Sequence, residues 1–173
     1  MTFYCQGRHI LIVRGFEINC IYLNFLGSIC PGNEDEAISP CTCVLNSAGV
    51  LSILCEGQDV TQESVDNVVR VTRQVNNLSS ADLLDLSQFE VRRTDLKQFD
   101  LSPLVNISMD ALDISGNEAL SSLVGPVSDL DEAHIHVTSL IINSNPNLGD
   151  SGLSSIFKMF NPLKMTELNL NSL

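Results

Sequence analysis

Four cysteines have the type and spacing for either metal binding or covalent cross-linking. Cys30, Cys41, Cys43 and Cys55 form the pattern C-x10-C-x-C-x11-C. Zinc sites usually hold their cysteine pairs two to four residues apart, whereas Cys41 and Cys43 are separated by a single residue and no histidine follows nearby. The pattern therefore favours two disulfides, for which four cysteines allow three connectivities. Disulfides imply an oxidising compartment.

Two histidines stand two residues apart in the second half of the chain. On a strand, His134 and His136 would share one face and could hold a metal ion. The sequence offers no evident third ligand near them, and it contains no glycine-rich phosphate loop. We therefore expect neither a metal site nor a cofactor.

Paired acidic and hydroxyl residues raise the possibility of acid–base or nucleophilic catalysis. Asp85 and Asp113 are one repeat apart, and so are Ser87 and Ser115. Paired carboxylates catalyse proton transfer when their pKa values are driven apart. Here they are expected on an open strand surface without a pocket, and no histidine recurs beside the serines. The chain is therefore predicted not to be an enzyme.

The element that must position these residues is a repeated strand. Leucines 84, 112, 140 and 168 stand 28 residues apart in phrases that follow LxxLxLxxNxL. This is the leucine-rich repeat pattern, in which alternating leucines point inward and stacked repeats share one core. The predicted fold is an α/β solenoid: a leucine-rich repeat horseshoe with a parallel concave sheet, helical or irregular convex returns and a period of 28.

Each predicted repeat has an inward position after its strand and a return segment. The inward positions would be Phe89, Asn117, Asn145 and Leu173, and the asparagine amides there would bind backbone groups of the turn. Helical returns are predicted from two sets of apolar residues, Val65, Val68, Val69 and Val75, and Leu153, Ile156, Phe157 and Phe160. Pro103 and Gly125-Pro126 make other returns irregular.

Three segments follow from this pattern. Residues 1–29 form a leader or signal-like segment, 30–60 a cysteine-rich amino-terminal cap, and 61–173 leucine-rich repeats that are truncated at the carboxyl end. The leader has basic residues before an apolar run, although Glu17 is unusual in a signal peptide. Alternatively, it is an uncleaved or wrongly joined extension. The run is too short and interrupted to span a membrane, so no membrane insertion is expected.

The segments 38–43 and 54–57 resemble the cysteine-rich cap of extracellular leucine-rich repeat proteins, with longer first and last gaps than usual. The resemblance implies Cys30–Cys43 and Cys41–Cys55 disulfides. Together with the repeats, it extends to secreted arthropod proteins of the luciferase non-catalytic subunit type, which implies a binding or scaffold subunit. Residues 145–153 also resemble the turn of ribonuclease-inhibitor repeats, a cytosolic type without the cap.

The net charge and the glycosylation sequons limit the classes of partner and the location that the sequence predicts. The net charge of −12 disfavours nucleic acid, because phosphates require lysine and arginine. Two glycosylation sequons begin at Asn77 and Asn106. The chain is therefore expected to be a secreted or cell-surface glycoprotein.

The predicted function is a non-enzymatic extracellular protein–protein interaction module. The alternatives are a cytosolic ribonuclease-inhibitor-type regulator or a non-catalytic subunit of a secreted enzyme complex. An unidentified protein ligand would meet the concave face, where an acidic corner formed by the two aspartates suits a basic patch. The predicted face residues are Asp85, Ser87, Asp113, Ser115, Ile141, Asn143, Asn169 and Asn171.

Overall fold

The computed structural model describes residues 10–14, 17–21, 28–32, 36, 38–125, 135–149, 160 and 165–171. The strands are β1 (Ile10–Arg14), β2 (Glu17–Ile21), β3 (Thr42–Leu45), β4 (Leu51–Glu56), β5 (Leu84–Arg92), β6 (Gln98–Asp100), β7 (Ile107–Asp113), β8 (Ser122–Val124), β9 (Ile135–Ile141) and β10 (Glu167–Asn169). One α-helix, α1 (Gln62–Val75), and one 3-10 helix (Ser102–Leu104) complete the elements of this part of the chain.

The central sheet has six strands in the order β10-β9-β7-β5-β4-β3. Strands β4, β5, β7, β9 and β10 run parallel, but β3 is antiparallel to β4. A short turn between β3 and β4 causes this reversal: the Asn46 carboxamide accepts hydrogen bonds from Ala48 N and Val50 N, both at 2.9 Å. Two further pairs lie outside this sheet, the antiparallel β1–β2 hairpin and the parallel β6–β8 pair.

The predicted α/β class with a wholly parallel sheet is wrong. The sheet is mixed, and the described residues contain only one α-helix. The return between β5 and β7 forms strand β6 and a 3-10 helix instead of an α-helix, and Pro103 lies in that 3-10 turn. Strand β8 lies in the described part of the next return and pairs with β6. The predicted helix around Leu153 lies outside the described residues.

Helix α1 forms where the valine spacing predicts it. Thr61 caps its amino end: its hydroxyl accepts from Ser64 N at 3.2 Å, while Thr61 N donates to Ser64 Oγ at 3.2 Å. Val65 and Val68 are completely buried. The Gln62 side chain joins α1 to β6, because its amide donates to Asp100 O at 3.1 Å and accepts from Asp100 N at 2.8 Å.

The register of the sheet differs from the predicted one at its first step. Leu112 pairs with Leu140, and Leu140 with Leu168, as a period of 28 requires. On the other side, however, Leu112 pairs with Phe89, and Leu84 pairs with Ile107. Leu112 is completely buried, but Phe89 and not Leu84 is its neighbour in the core. The step from β5 to β7 is therefore five residues shorter than predicted.

The inward residues after the strands follow the same shortened step. The Asn117 side chain accepts a hydrogen bond at 2.9 Å from Thr94 N, which is 23 residues earlier in the sequence. It also donates a hydrogen bond to Val91 O at 2.9 Å. Asn145 accepts from Asn117 N at 3.0 Å, 28 residues away, and donates to Ile114 O at 2.7 Å. The prediction for Asn117 and Asn145 is confirmed, but Thr94 occupies the position assigned to Phe89. Leu173 lies outside the described residues.

Candidate functional site

One face of the central sheet is open, and we call it the exposed sheet face. Along each strand, buried residues such as Phe89, Leu112 and Leu140 alternate with partly exposed ones, so the latter point away from the core. Register aligns these outward residues in three rows: Ser52, Gln88, Ala111, Ser139 and Glu167; Leu54, Glu90, Asp113, Ile141 and Asn169; and Glu56, Arg92, Ser115, Asn143 and Asn171. The rows present mostly polar side chains from β4 to β10, and most of those on β7, β9, β10 and the segments that follow them are small.

The predicted face residues are brought together only in part. The six on β7, β9, β10 and the segments that follow them share the second and third rows: Asp113, Ser115, Ile141, Asn143, Asn169 and Asn171. Asp85 is instead in register with Ser108, near the other end of β5. The predicted pair of neighbouring carboxylates, Asp85 and Asp113, is therefore absent, because the step from β5 to β7 is shorter than 28 residues.

Glu90 and Arg92 take the places predicted for Asp85 and Ser87, and they create a charged cluster. The Arg92 guanidinium forms an ion pair with the Glu90 carboxylate, and its Nη1 lies 3.8 Å from Asp113 Oδ2. The Ser115 hydroxyl donates a hydrogen bond to Asp113 Oδ1. The Glu90 and Asp113 side chains are only 12% and 11% exposed, against 33% for Arg92. The cluster thus places two largely buried carboxylates beside one partly exposed guanidinium, which gives it a formal net charge of one negative unit.

A sequence signal for this cluster exists, although strict leucine counting misses it. Leu86, Phe89, Val91 and Thr94 have the same mutual spacing as Met109, Leu112, Ile114 and Asn117. A repeat phrase that admits phenylalanine at the leucine position and threonine at the asparagine position would have aligned β5 correctly. The outward residues between these positions, Glu90 and Arg92, would then have been identified.

A second set of potentially reactive residues crosses the exposed sheet face near the amino ends of the strands. Asp85, Ser108 and His136 are in register on β5, β7 and β9. The serine is in the middle, whereas a nucleophilic triad places the imidazole between the hydroxyl and the carboxylate. This order does not suit acyl transfer. His134 lies outside the described residues, and within the described part of the chain no three His, Cys, Asp or Glu side chains are grouped to hold a metal ion.

The cap contains both disulfides that the family resemblance implied. Cys30 is bonded to Cys43, and Cys41 to Cys55. Cys55 is in register with Val91 and is completely buried, so the cross-linked strand β4 continues the core beside β5. Ile29 is fixed next to Cys30 by Asn76 at the end of α1, whose side chain accepts from Ile29 N at 2.7 Å and donates to Ile29 O at 2.8 Å.

A groove of about 620 Å³ lies on the α1 side of the molecule. Arg73 lines it, and its guanidinium donates to Ser79 O, Asp82 O, Val105 O and Asn106 O at 2.7–3.0 Å. Burial lowers the pKa of Arg73, and the nearby Asp82 carboxylate partly offsets this effect. Hydrogen bonds from the Ser79 hydroxyl and backbone lower the pKa of Asp82. With all these donors directed at backbone carbonyls, Arg73 holds the fold together and is not available to a ligand.

No helix in the described ranges is long and apolar enough to cross a bilayer. Comparisons of the chain with protein-family models, curated protein sequences and solved structures gave no match.

Proposed function

We propose that the chain is a non-enzymatic extracellular module that binds a protein partner through the exposed sheet face. The observation that carries this proposal is the alignment of outward side chains in three continuous rows. Protein partners bind such broad surfaces through many modest contacts around a few desolvated groups. The Glu90–Arg92–Asp113 cluster, whose two carboxylates are largely buried, is the charged group within these rows.

The partner's chemistry follows from the composition of the face. Serine, alanine and asparagine side chains leave room for large side chains of the partner, such as tyrosine or arginine, which dominate many interfaces. The whole chain has a net charge of −12, and the central cluster keeps one unbalanced carboxylate. A basic partner surface would be steered toward this face, and its association would slow as salt is added.

Two disulfides support the extracellular location, because such bonds persist in oxidising compartments. They also argue against the cytosolic regulator that the ribonuclease-inhibitor-like turn suggested. We further propose kinship with capped extracellular leucine-rich repeat proteins, supported by the disulfide pairing and the Asn117–Asn145 hydrogen bonds. A non-catalytic subunit of a secreted complex is one form that such a binding module takes.

The test is a matched pair of substitutions. Affinity capture from extracellular fluid would first provide a partner, and its Kd for the wild-type chain would then be measured. Ser139→Arg places a long cation on the exposed sheet face, whereas Ser80→Arg places the same cation on the groove side. We expect Ser139→Arg to weaken binding about tenfold or more, because it adds bulk and positive charge where a basic partner docks.

Ser80→Arg should bind like the wild-type chain. Equal affinities for all three proteins would refute the exposed sheet face as the binding surface. The purified wild-type chain would also be tested in a broad hydrolase and redox screen, in which no turnover is expected. Reproducible turnover that disappears on changing Asp85, Ser108 or His136 would instead establish an enzyme.

A further inference from the structure

The two sequons occupy different structural environments. Asn77 follows α1 and is exposed, and the described residues provide no hydrogen-bond partner for its side chain. Its φ of 56° places it in a left-handed turn, which asparagine tolerates well. Ser79, the third residue of this sequon, is also exposed. Asn77 and Ser79 thus lie in a surface turn that stays accessible after folding, while Leu78 between them packs against the core.

The Asn106 sequon is part of the sheet. Asn106 immediately precedes β7, a strand paired on both sides, and Ile107 is completely buried. The Asn106 carboxamide is half-buried, and its Nδ2 donates to Ser80 O at 3.0 Å. Its backbone carbonyl accepts from both Leu84 N and the Arg73 guanidinium, each at 3.0 Å. Folding therefore holds this sequon in the hydrogen-bonded backbone of the sheet, although the Ser108 side chain stays partly exposed.

We infer that Asn77 is the N-glycosylated residue of this protein and that Asn106 remains unmodified; the inference rests on the proposed extracellular route. A lipid pyrophosphate-linked oligosaccharide would be the donor. The Asn77 Nδ2 forms a bond to C1 of the first sugar and loses one proton, while the bond from C1 to the pyrophosphate oxygen breaks and the pyrophosphate leaves with the electron pair. Before folding, both asparagines are accessible, but pairing of β7 with β5 and β9 ends that period for Asn106 alone.

A glycan on each asparagine would also have a different structural consequence. At Asn77 the sugar extends from an exposed turn into solvent. At Asn106 it would add bulk to the nitrogen that donates to Ser80 O and would crowd the edge of the groove beside Arg73. Chains modified at Asn106 would therefore fold less well, which further favours Asn77 in the folded population.

The experiment uses the full chain with an appended cleavable signal, translated with endoplasmic reticulum microsomes. The appended signal forces entry, so the result does not depend on the natural location or on partner binding. Ser79→Ala and Ser108→Ala each destroy one sequon but keep its asparagine. We expect a glycosidase-sensitive mass on the wild-type chain and on Ser108→Ala, and its loss in Ser79→Ala.

Site occupancy by peptide mass spectrometry should be several-fold higher at Asn77 than at Asn106. Asn77→Gln provides a second way to remove the expected glycan without touching β7. An unmodified wild-type chain, equal occupancy of both sites, or a glycan that survives Ser79→Ala would each overturn the inference. A chain that is glycosylated as expected but fails to bind any partner would leave this inference standing and refute the proposed function.

Discussion

The two ends of the parallel strands are completed by different polar side chains. At the amino ends of β5 and β7, the single guanidinium of Arg73 binds four backbone carbonyls. At the carboxyl ends, the neutral amides of Asn117 and Asn145 each bind one strand and the next turn. Both solutions satisfy buried backbone groups, which would otherwise be costly to leave unpaired.

The difference lies in how each solution extends along the sheet. An asparagine amide carries a donor and an acceptor, so the same residue can serve at each successive strand end. A guanidinium has five donors and no acceptor, which suits one convergence of carbonyls but not a repeating ladder. The amino ends therefore depend on one long side chain from α1, while the carboxyl ends share their hydrogen bonds among several residues.

The largest expected effect is the loss of Arg73. Arg73→Met keeps similar bulk but removes the donor of Asp82 O and Val105 O and one of two donors of Ser79 O and Asn106 O. We therefore expect the free energy of unfolding to fall by about 3–5 kcal/mol. Denaturant unfolding of the purified chain measures this. Arg70→Met is the matched control, because exposed Arg70 binds only Asn67 and Gln74 within α1. A variant at position 73 that unfolds like the control would show that the amino ends do not depend on the guanidinium.

A smaller loss is expected from the asparagine ladder. Asn117→Ala removes the acceptor for Thr94 N and the donor to Val91 O, both at buried positions. We expect a cost of about 2–3 kcal/mol, since unsatisfied buried backbone groups cost about 1–3 kcal/mol each and water can enter part of the cavity. Asn147→Ala, at an exposed asparagine, is the control. Equal melting temperatures of the two alanine variants in thermal unfolding would contradict this expectation.

The smallest effect concerns pH. Hydrogen bonds from Ser79 hold the pKa of Asp82 below its usual 3.8 in the folded chain. A depressed folded pKa stabilises the fold above the unfolded value, and the contribution is lost as pH falls through the folded pKa. Asp82→Asn should therefore have a lower melting temperature than the wild type at about pH 7, and this difference should shrink as the pH falls below 3.8 and through the folded pKa. Exposed Asp59→Asn is the control, and a gap that is constant with pH would exclude this linkage.

The repeat could be predicted from sequence where its residue types recur. The phrases around Leu112, Leu140 and Leu168 share their spacing, and the strands they form pair in the expected register. The α1 valines and the asparagine ladder follow from periodicity in the same way. Cap connectivity required a family resemblance, because cysteine spacing alone leaves three pairings open.

The first step of the sheet could not be predicted by leucine identity. Two overlapping sets of apolar residues in β5, at 84 and 86 and at 86, 89 and 91, both fit a strand. The leucine spacing favours the first set, but the pairing of β5 with β7 uses the second. Thr94 then occupies the position that asparagine has in the later repeats. This choice moves the acidic corner from Asp85 to Glu90, and it adds Arg92, which is not among the predicted face residues.

The contact between Gln62 and Asp100 has a consequence for solubility. Among the described strands, β6 pairs only with β8, so its other edge would be a template on which a foreign strand could add. The Gln62 carboxamide occupies the N–H and the C=O of Asp100 in the geometry of a neighbouring peptide group. The Gln62 side chain at the start of α1 therefore occupies the backbone groups to which a further strand would bind. In this way the first turn of the helix protects this edge against fibre-like self-association.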